Sequence, residues 1–437
     1  MPATPPPTPT SPPTSPLAPP PAQDPAVADR LAALRGPVPP RHHDARTIAA
    51  LTANPGCARR AVLDAAGVDK RALAERIGFG PRFGQSPFAI SRGNAFEKLV
   101  KADGGTTLLH LLRDQLGLDV PLDNQNPGSP GSGGEWLDLG TGEREERYRR
   151  TRDLVAAAAR DQDAGPVLAD HPLLKLEVGG RAAYVEPDLV AFRASSAAAP
   201  TVPWRWYLAE IKSFAMIDGR ADPVKVAEAA TQAAVYVLAF QALLADLGLP
   251  PELAATDVVL VCPRDFSNTP TAALVDVRRQ LAAVRRQLDR LPRIGALLDG
   301  LDAGLTFDLA KDEDGEPVRG SAELGKAVAA VEARYAPECI SRCDMAFYCR
   351  DEARATCSTD LLGRSVRDAL GGVGTMRDVL ALAGGEARGG DEAFDDDPDL
   401  AEAARLLSMA RRARSEALEQ AQARAAEAEL RSREVAA

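Results

Sequence analysis

Apolar and polar positions alternate with a period of two along residues 182–192 and again along 204–214, each run bounded by turn-forming residues, and this predicts two strands. A longer stretch, about 223–247, carries its apolar residues at helical spacing and predicts one long helix. Residues 257–262, Asp-Val-Val-Leu-Val-Cys, are a continuous apolar run of the kind a buried strand shows, and about 271–291 predicts a helix after it. Toward the N-terminus the pattern turns helical from Asp44, and a turn over 53–60, containing Pro55 and Cys57, opens a new helix. Residues 143–160 predict another helix, 361–382 two short ones around Gly371 to Gly374, and about 399–434 one long helix of Ala, Glu and Arg. Together these elements give an α/β fold class: a small mixed central sheet flanked by helices, with helical N- and C-terminal additions.

At 437 residues and 45% hydrophobic composition the chain can bury a core and form two or three domains. Its net charge of -10 argues against a wholesale polyanion binder, although an enzyme acting on nucleic acid needs positive potential only along its channel. Part of the acidity is local, in the run 391–399, which reads as an exposed linker. Residues 1–27 are dominated by Pro, Thr, Ser and Ala and read as a disordered tail with polyproline character. No signal-peptide pattern opens the chain and no window approaches the uninterrupted apolar length of a membrane helix, so the expectation is a cytoplasmic protein with no membrane partner. Thiols stay reduced there, which makes the six cysteines metal ligands or buried small side chains rather than disulfides.

Side chains two apart on a strand share a face, so Glu210 and Lys212 lie on one side of theirs, and Asp188 joins them if the two strands pair. Two carboxylates and an ammonium are what a divalent cation and an attacking water need: hard oxygens for Mg2+ or Mn2+, and a positive group that orients the water or offsets anionic charge. The residues Pro187-Asp188 and Glu210-Ile211-Lys212 resemble the PD-(D/E)XK nuclease superfamily. Gln232 to Tyr236, in Thr231-Gln232-Ala233-Ala234-Val235-Tyr236, is similar to the Gln-x-x-x-Tyr element of its RecB-type branch. Arg92-Gly93-Asn94-Ala95-Phe96-Glu97, ahead of a predicted helix, is similar to that branch's first motif, with Glu97 where many members carry histidine. The resemblance covers about 57–349. It implies a restriction-endonuclease-like core in which Glu97, Asp188, Glu210 and the carbonyl of Ile211 hold the Mg2+ or Mn2+. Lys212 would position the water, and Gln232 and Tyr236 would contact the nucleic-acid backbone.

Cys339, Cys343, Cys349 and Cys357 fall within 19 residues, and soft thiolates at such spacing suit an iron–sulfur cluster or zinc. The resemblance to RecB/AddB-type nucleases implies a [4Fe–4S] cluster on Cys57, Cys339, Cys343 and Cys349, with Cys357 spare; the rival is a local Zn2+ site on Cys339, Cys343, Cys349 and Cys357. Cys57 falls in the first turn of its helix, where backbone N–H groups favour a thiolate, and Cys262 reads as a packed residue. Two arginine-rich helices remain. The one over 143–160 interleaves Glu with Arg and reads as a solvated face, whereas Arg278, Arg279, Arg285 and Arg286 form a stripe that suits either solvent or phosphate. Residues 320–327 nearly fit a phosphate loop, but Ala327 stands where Ser or Thr is needed and no apolar strand precedes it.

The expected organisation is a tail over 1–27, a nuclease core over 44–335 with a helical insertion at about 104–170, a Cys-rich segment over 336–360, and a helical C-terminal region over 361–437. The expected function is metal-dependent hydrolysis of DNA phosphodiesters, as an exonuclease or end-processing enzyme in repair, recombination or defence against foreign DNA. Any helicase or defence-complex subunit acting with it would be a separate partner. The alternative from another class is a non-cleaving nucleic-acid-binding or assembly subunit with a structural metal site.

Overall fold

The computed structural model describes residues 24–435 except 55, 81–86, 120–134, 161–166, 179–180, 197–203, 266, 290–293 and 385–397. Most of the expected Pro-rich tail, the Gly/Pro/Ser-rich loop over 124–134, Pro55 and most of the acidic run 391–399 therefore lie outside the described residues. Among those described, the elements in chain order are α1 (Pro25–Arg35), α2 (Ala45–Ala53), α3 (Ala58–Ala66), α4 (Lys70–Arg76), α5 (Pro87–Lys101), α6 (Thr106–His110), β1 (Leu118–Asp119), β2 (Glu135–Asp138), α7 (Arg144–Arg160), β3 (Val167–Asp170), β4 (Leu174–Val178) and β5 (Arg181–Val185). There follow β6 (Leu189–Ser196), β7 (Arg205–Ile211), α8 (Pro223–Asp246), β8 (Asp257–Pro263), β9 (Pro270–Asp276), α9 (Arg278–Leu288), α10 (Ile294–Asp299), α11 (Ser321–Ala329), α12 (Cys339–Arg342), α13 (Ala346–Ala355), α14 (Arg364–Ala369), α15 (Met376–Gly384) and α16 (Pro398–Val435).

The fold is mixed α/β. One sheet runs β2-β3-β6-β7-β8-β9 with β1 also on β6, and β4 and β5 form a separate antiparallel pair. Within the large sheet β2 with β3 and β7 with β8 are parallel, while β3 with β6, β6 with β7 and β8 with β9 are antiparallel. Burial explains why β7 and β8 read as they do: Trp206 to Ile211 and Val258 to Cys262 are covered on both faces, so neither strand needs a polar side.

Three sequence expectations change here. The alternating run 182–192 is two strands, because it breaks at Glu186-Pro187-Asp188 and sends β5 to one sheet and β6 to the other. Proline lacks the N–H that a continuous ladder would use. The helix expected over 271–291 begins only at Arg278; Pro270–Asp276 is β9, whose apolar residues pair along β8. The insertion at 104–170 is not purely helical, since it contributes β1, β2 and β3, and β2 and β3 extend the main sheet.

Helix α8 is nucleated by Asp222, whose carboxylate accepts from the backbone N–H groups of Val224 at 2.8 Å and Lys225 at 3.2 Å, with Pro223 at the first helical position. By length and composition α8 does reach what a membrane span requires, contrary to the expectation that no segment approaches it. Most of its apolar stretch is buried inside the protein. Phe240 of α8 meets Trp206 edge-on with ring centroids 5.7 Å apart. Trp206, Leu208 and Glu210 share one face of β7, so the face that α8 covers at one end carries a carboxylate at the other.

The described chain divides into two compact units. The first, residues 1–32, 41–52 and 83–300, holds both sheets and α8 around one core that includes Phe96, Trp206, Phe240 and Val259. The second, residues 33–40, 53–82 and 301–437, is helical; in it Leu34 and Phe307 are fully buried, and the Phe307 N–H donates to the Leu34 carbonyl at 2.7 Å. Cys57 thus belongs to the same unit as Cys339, Cys343 and Cys349.

Candidate active site

The β6–β7 register pairs Leu189 with Ala209, which sets Asp188, just before β6, opposite Glu210. The Asp188 carboxylate accepts from the Ile211 N–H at 2.9 Å. Lys212 Nζ pairs with Glu210 Oε1 and lies 3.8 Å from Asp188 Oδ2. Its own N–H donates to the Val261 carbonyl at 2.9 Å, which anchors the end of β7 to β8. Glu210 is 1% exposed, and no hydrogen-bond donor among the described residues is aligned with either of its oxygens. Burial, reinforced by Asp188, pushes its carboxyl up to about 8. Burial raises Asp188 as well, against the pull of Lys212 and the Ile211 N–H. Lys212 is desolvated, yet Glu210 and Asp188 hold it above the usual lysine range.

Glu97 lies inside α5 rather than ahead of it, and the Arg92 guanidinium ties the same helix to the Ser213 carbonyl at 2.5 Å. Its charge reaches Asp188, Glu210 and Lys212, so the four expected catalytic residues are brought into one electrostatic neighbourhood. The Glu97 carboxylate is also engaged elsewhere, by Lys101 one turn along and by His171 Nε2 at 3.2 Å. Lys101 bonds Asp170 at 2.6 Å, His171 Nδ1 meets Glu186 at 3.2 Å, and Arg147 closes the chain on Glu186 at 3.0 Å. The hydrogen bond from His171, opposed by burial and helped by Lys101, lowers Glu97 to about 2; Glu186 and then Glu97 raise His171 to about 10.

None of Lys101, Asp170, His171, Glu186 or Arg147 was expected at the site. His171 carries the one visible signal, being one of four histidines, and its φ of +48° is a conformation that a non-glycine residue adopts only when its surroundings fix it. Arg147 supplies part of that fixing by donating to the carbonyls of Leu139 at 2.8 Å and His171 at 3.0 Å. Arg150 likewise donates to the Thr141 and Asp138 carbonyls, so Arg147 and Arg150 brace neighbouring loops while Arg144, Arg149 and Arg152 stay on an exposed face, as expected.

The pairing makes a prediction about pH. The contribution of His171 is complete below its unfolded value near ~6.5 and is lost as pH rises toward about 10; that of Glu97 is complete above ~4.3 and is lost as pH falls toward about 2. His171→Gln should therefore remove much of the fall in thermal midpoint above pH ~7. A variant whose alkaline fall matches the wild type would dissolve the pairing.

Gln232 and Tyr236 do share a face of α8, but the expectation that both contact nucleic acid changes. Tyr236 is 3% exposed, its hydroxyl accepts from Gln232 Nε2 at 2.7 Å, and burial beside Glu210 and Asp188 raises it well above the usual range. Tyr236 is thus enclosed within electrostatic reach of the carboxylates, and Gln232 is the member that reaches solvent. The arginine stripe of α9 is similarly divided: Arg278 pairs with Asp276, Arg285 donates to Gln241 at 2.5 Å, and Arg279 and Arg286 are exposed.

In the second unit Cys57 is the N-cap of α3, Cys339 opens α12, Cys343 follows it, and Cys349 lies in α13. Cys349 interacts electrostatically with Cys343 and Cys57, and Arg60 with Cys343 and Cys339. Burial raises Cys349 to about 12 and raises Cys343 as well. Cys357 is exposed, with a φ of +52°. Cys262 is fully buried in β8, as a packed residue should be.

Among the described residues no group of three or more His, Cys, Asp or Glu side chains is arranged to hold a metal ion. For the carboxylates, the donors that fit a hard cation reduce to Asp188, one of whose oxygens accepts from the Ile211 N–H, and Glu210, together with the Ile211 carbonyl; Glu97 is committed to Lys101 and His171. For the thiols, the Arg59 and Asn54 N–H groups that lie against Cys349 Sγ and Cys339 Sγ suit sulfurs carrying negative charge, as metal-bound thiolates do. Compared with protein-family models, curated proteins and solved structures, the chain matches none.

Proposed function

We propose that the first unit is a divalent-metal-dependent phosphodiesterase acting on DNA, working at the open end of β6 and β7. The observation that carries the reading is the fully buried Glu210 beside the partly buried Asp188, with Lys212 against both: two carboxylates converge where desolvation penalises their charge, a cost that a bound cation would offset. Asp188, Glu210 and the Ile211 carbonyl would hold Mg2+ or Mn2+, which when bound supplies Lewis-acid polarisation of the phosphoryl oxygens and a more acidic water. Lys212 faces the same point and orients the attacking water or offsets charge on the phosphate. Tyr236 and Gln232 keep the carboxylates in place from α8, and Arg92 fixes α5 against the end of β7. Exonuclease or end-processing action in repair, recombination or defence is the setting that the motif order suggests.

The test is cleavage of labelled single- and double-stranded oligonucleotides with Mg2+ or Mn2+ and with chelator. Lys212→Arg keeps the charge but replaces a compact ammonium with a planar fork, so the divalent-dependent rate should fall at least ~100-fold. A near-normal rate in that variant would remove Lys212 from the chemistry. A non-cleaving subunit is the second reading, favoured by the engagement of Glu97 with Lys101 and His171. That reading predicts nucleic-acid binding with no divalent-dependent product in the wild type.

A further inference from the structure

Arg59 is 2% exposed, in the first turn of α3 and two residues after Cys57. One of its nitrogens, Nη1, lies 3.2 Å from Cys349 Sγ and 2.8 Å from Glu352 Oε2, while Nη2 donates to Glu352 Oε1 at 3.0 Å. Its Nε donates to the Val331 carbonyl at 3.0 Å, and the guanidinium carbon stands 5.2 Å from the centroid of the Tyr348 ring. Four hydrogen bonds thereby hold the fork, and one prong is aimed at sulfur. A second donor repeats the motif, since Asn54 Nδ2 lies 3.4 Å from Cys339 Sγ. A neutral thiol is a weak acceptor and returns little for a buried cation, whereas a metal-bound thiolate is an anion that a guanidinium both hydrogen-bonds and neutralises.

We infer that Arg59 is the charge partner of a metal–thiolate group held by Cys57, Cys339, Cys343 and Cys349, and that the Arg59–Glu352 pair sets the reduction potential of that group. The group for which this matters is the iron–sulfur cluster, whose potential responds to hydrogen bonds on its sulfurs and to nearby charge. Reduction adds an electron to an already anionic centre. A cation at Cys349 favours the reduced form, and the carboxylate of Glu352 behind it offsets part of that effect. The inference stands apart from the cleavage chemistry, because every residue in it belongs to the second unit and none belongs to the carboxylate site.

The two members of the pair give opposite signs. In full-length protein purified without oxygen, visible absorption should report the cluster, and a dithionite titration followed at that absorption should report its midpoint. Arg59→Met removes the cation and should move the midpoint to more negative potential. Glu352→Gln leaves the guanidinium at Cys349 but strips its counter-charge, and should move the midpoint to more positive potential. A role confined to folding would weaken cluster retention in both variants without displacing their midpoints in opposite directions. Displacements of the same sign, or none, overturn the assignment, as does a colourless wild-type protein. Should Arg59→Met fail to load, Glu352→Gln decides alone: a positive displacement supports the inference, and an unchanged or negative one ends it.

Discussion

Glu210→Gln is expected to abolish divalent-dependent cleavage and, in the same protein, to raise stability in the absence of metal. The first effect follows from losing one of two hard ligands, with several kcal/mol of transition-state stabilisation at stake, so the rate should fall by ~10³-fold or more. The second follows from burial. Glu210 is 1% exposed, and although Lys212 pairs with it, burial and Asp188 hold its carboxyl up to about 8 against an unfolded value near ~4.3. Between those values the folded protein binds the extra proton, so the apo wild type should lose stability as pH rises from ~4.3 toward 8. Glutamine keeps the shape, has no proton to release, and should flatten that slope while adding ~1–3 kcal/mol near neutrality. On the proposed role of these carboxylates as metal ligands of the folded state, Mn2+ should raise the thermal midpoint of the wild type and leave that of the variant unchanged. Wild-type cleavage by Glu210→Gln, or an apo stability that declines across this range as steeply as the wild type's, would refute the assignment.

That pair of carboxylates was legible because Glu210 sits in, and Asp188 immediately before, a strand with a strong apolar pattern, and pairing the strands needed no information beyond their proximity in the chain. The cysteine grouping was legible through spacing, and Cys57 joined it only through the family resemblance; in the structure, contacts nearly 300 residues apart, such as Arg59 Nη1 with Cys349 Sγ, tie its segment to the C-terminal one. The second ionic chain was legible only through the scarcity of histidine, which marks His171. Lys101, His171, Glu186 and Arg147 come from four separate stretches, and each alone looks like an ordinary surface charge until the sheet gathers them. Periodicity failed where two elements shared one apolar run: 182–192 conceals a proline break, and 271–291 conceals β9, whose covered residues resemble the buried side of a short helix. Tyr236 was misplaced for a related reason. Spacing along α8 fixed its face, while only packing could tell whether that face met solvent or the buried carboxylates.

Trp206→Ala tests whether the aromatic layer beneath the site positions it or merely fills the core. Trp206 is 1% exposed, edge-on to Phe240 at 5.7 Å and to Trp204 at 6.3 Å, and its indole N–H has no partner among the described residues. Truncation therefore strands no polar group, and the cost is lost burial plus the cavity: ~3–5 kcal/mol, read on the denaturant midpoint of the sheet-bearing unit. The cavity would open on the same face of β7 as Glu210, under the helix whose Tyr236 lies beside the carboxylates. Loss of that support lets β7 and α8 shift relative to each other, so affinity for Mn2+ should weaken although no ligand has changed. Trp206→Phe keeps a ring against Phe240 and should recover most of both quantities. If Trp206→Ala lies within ~1 kcal/mol of the wild type, the layer is dispensable; if stability falls but Mn2+ affinity does not, it fills the core without positioning Glu210.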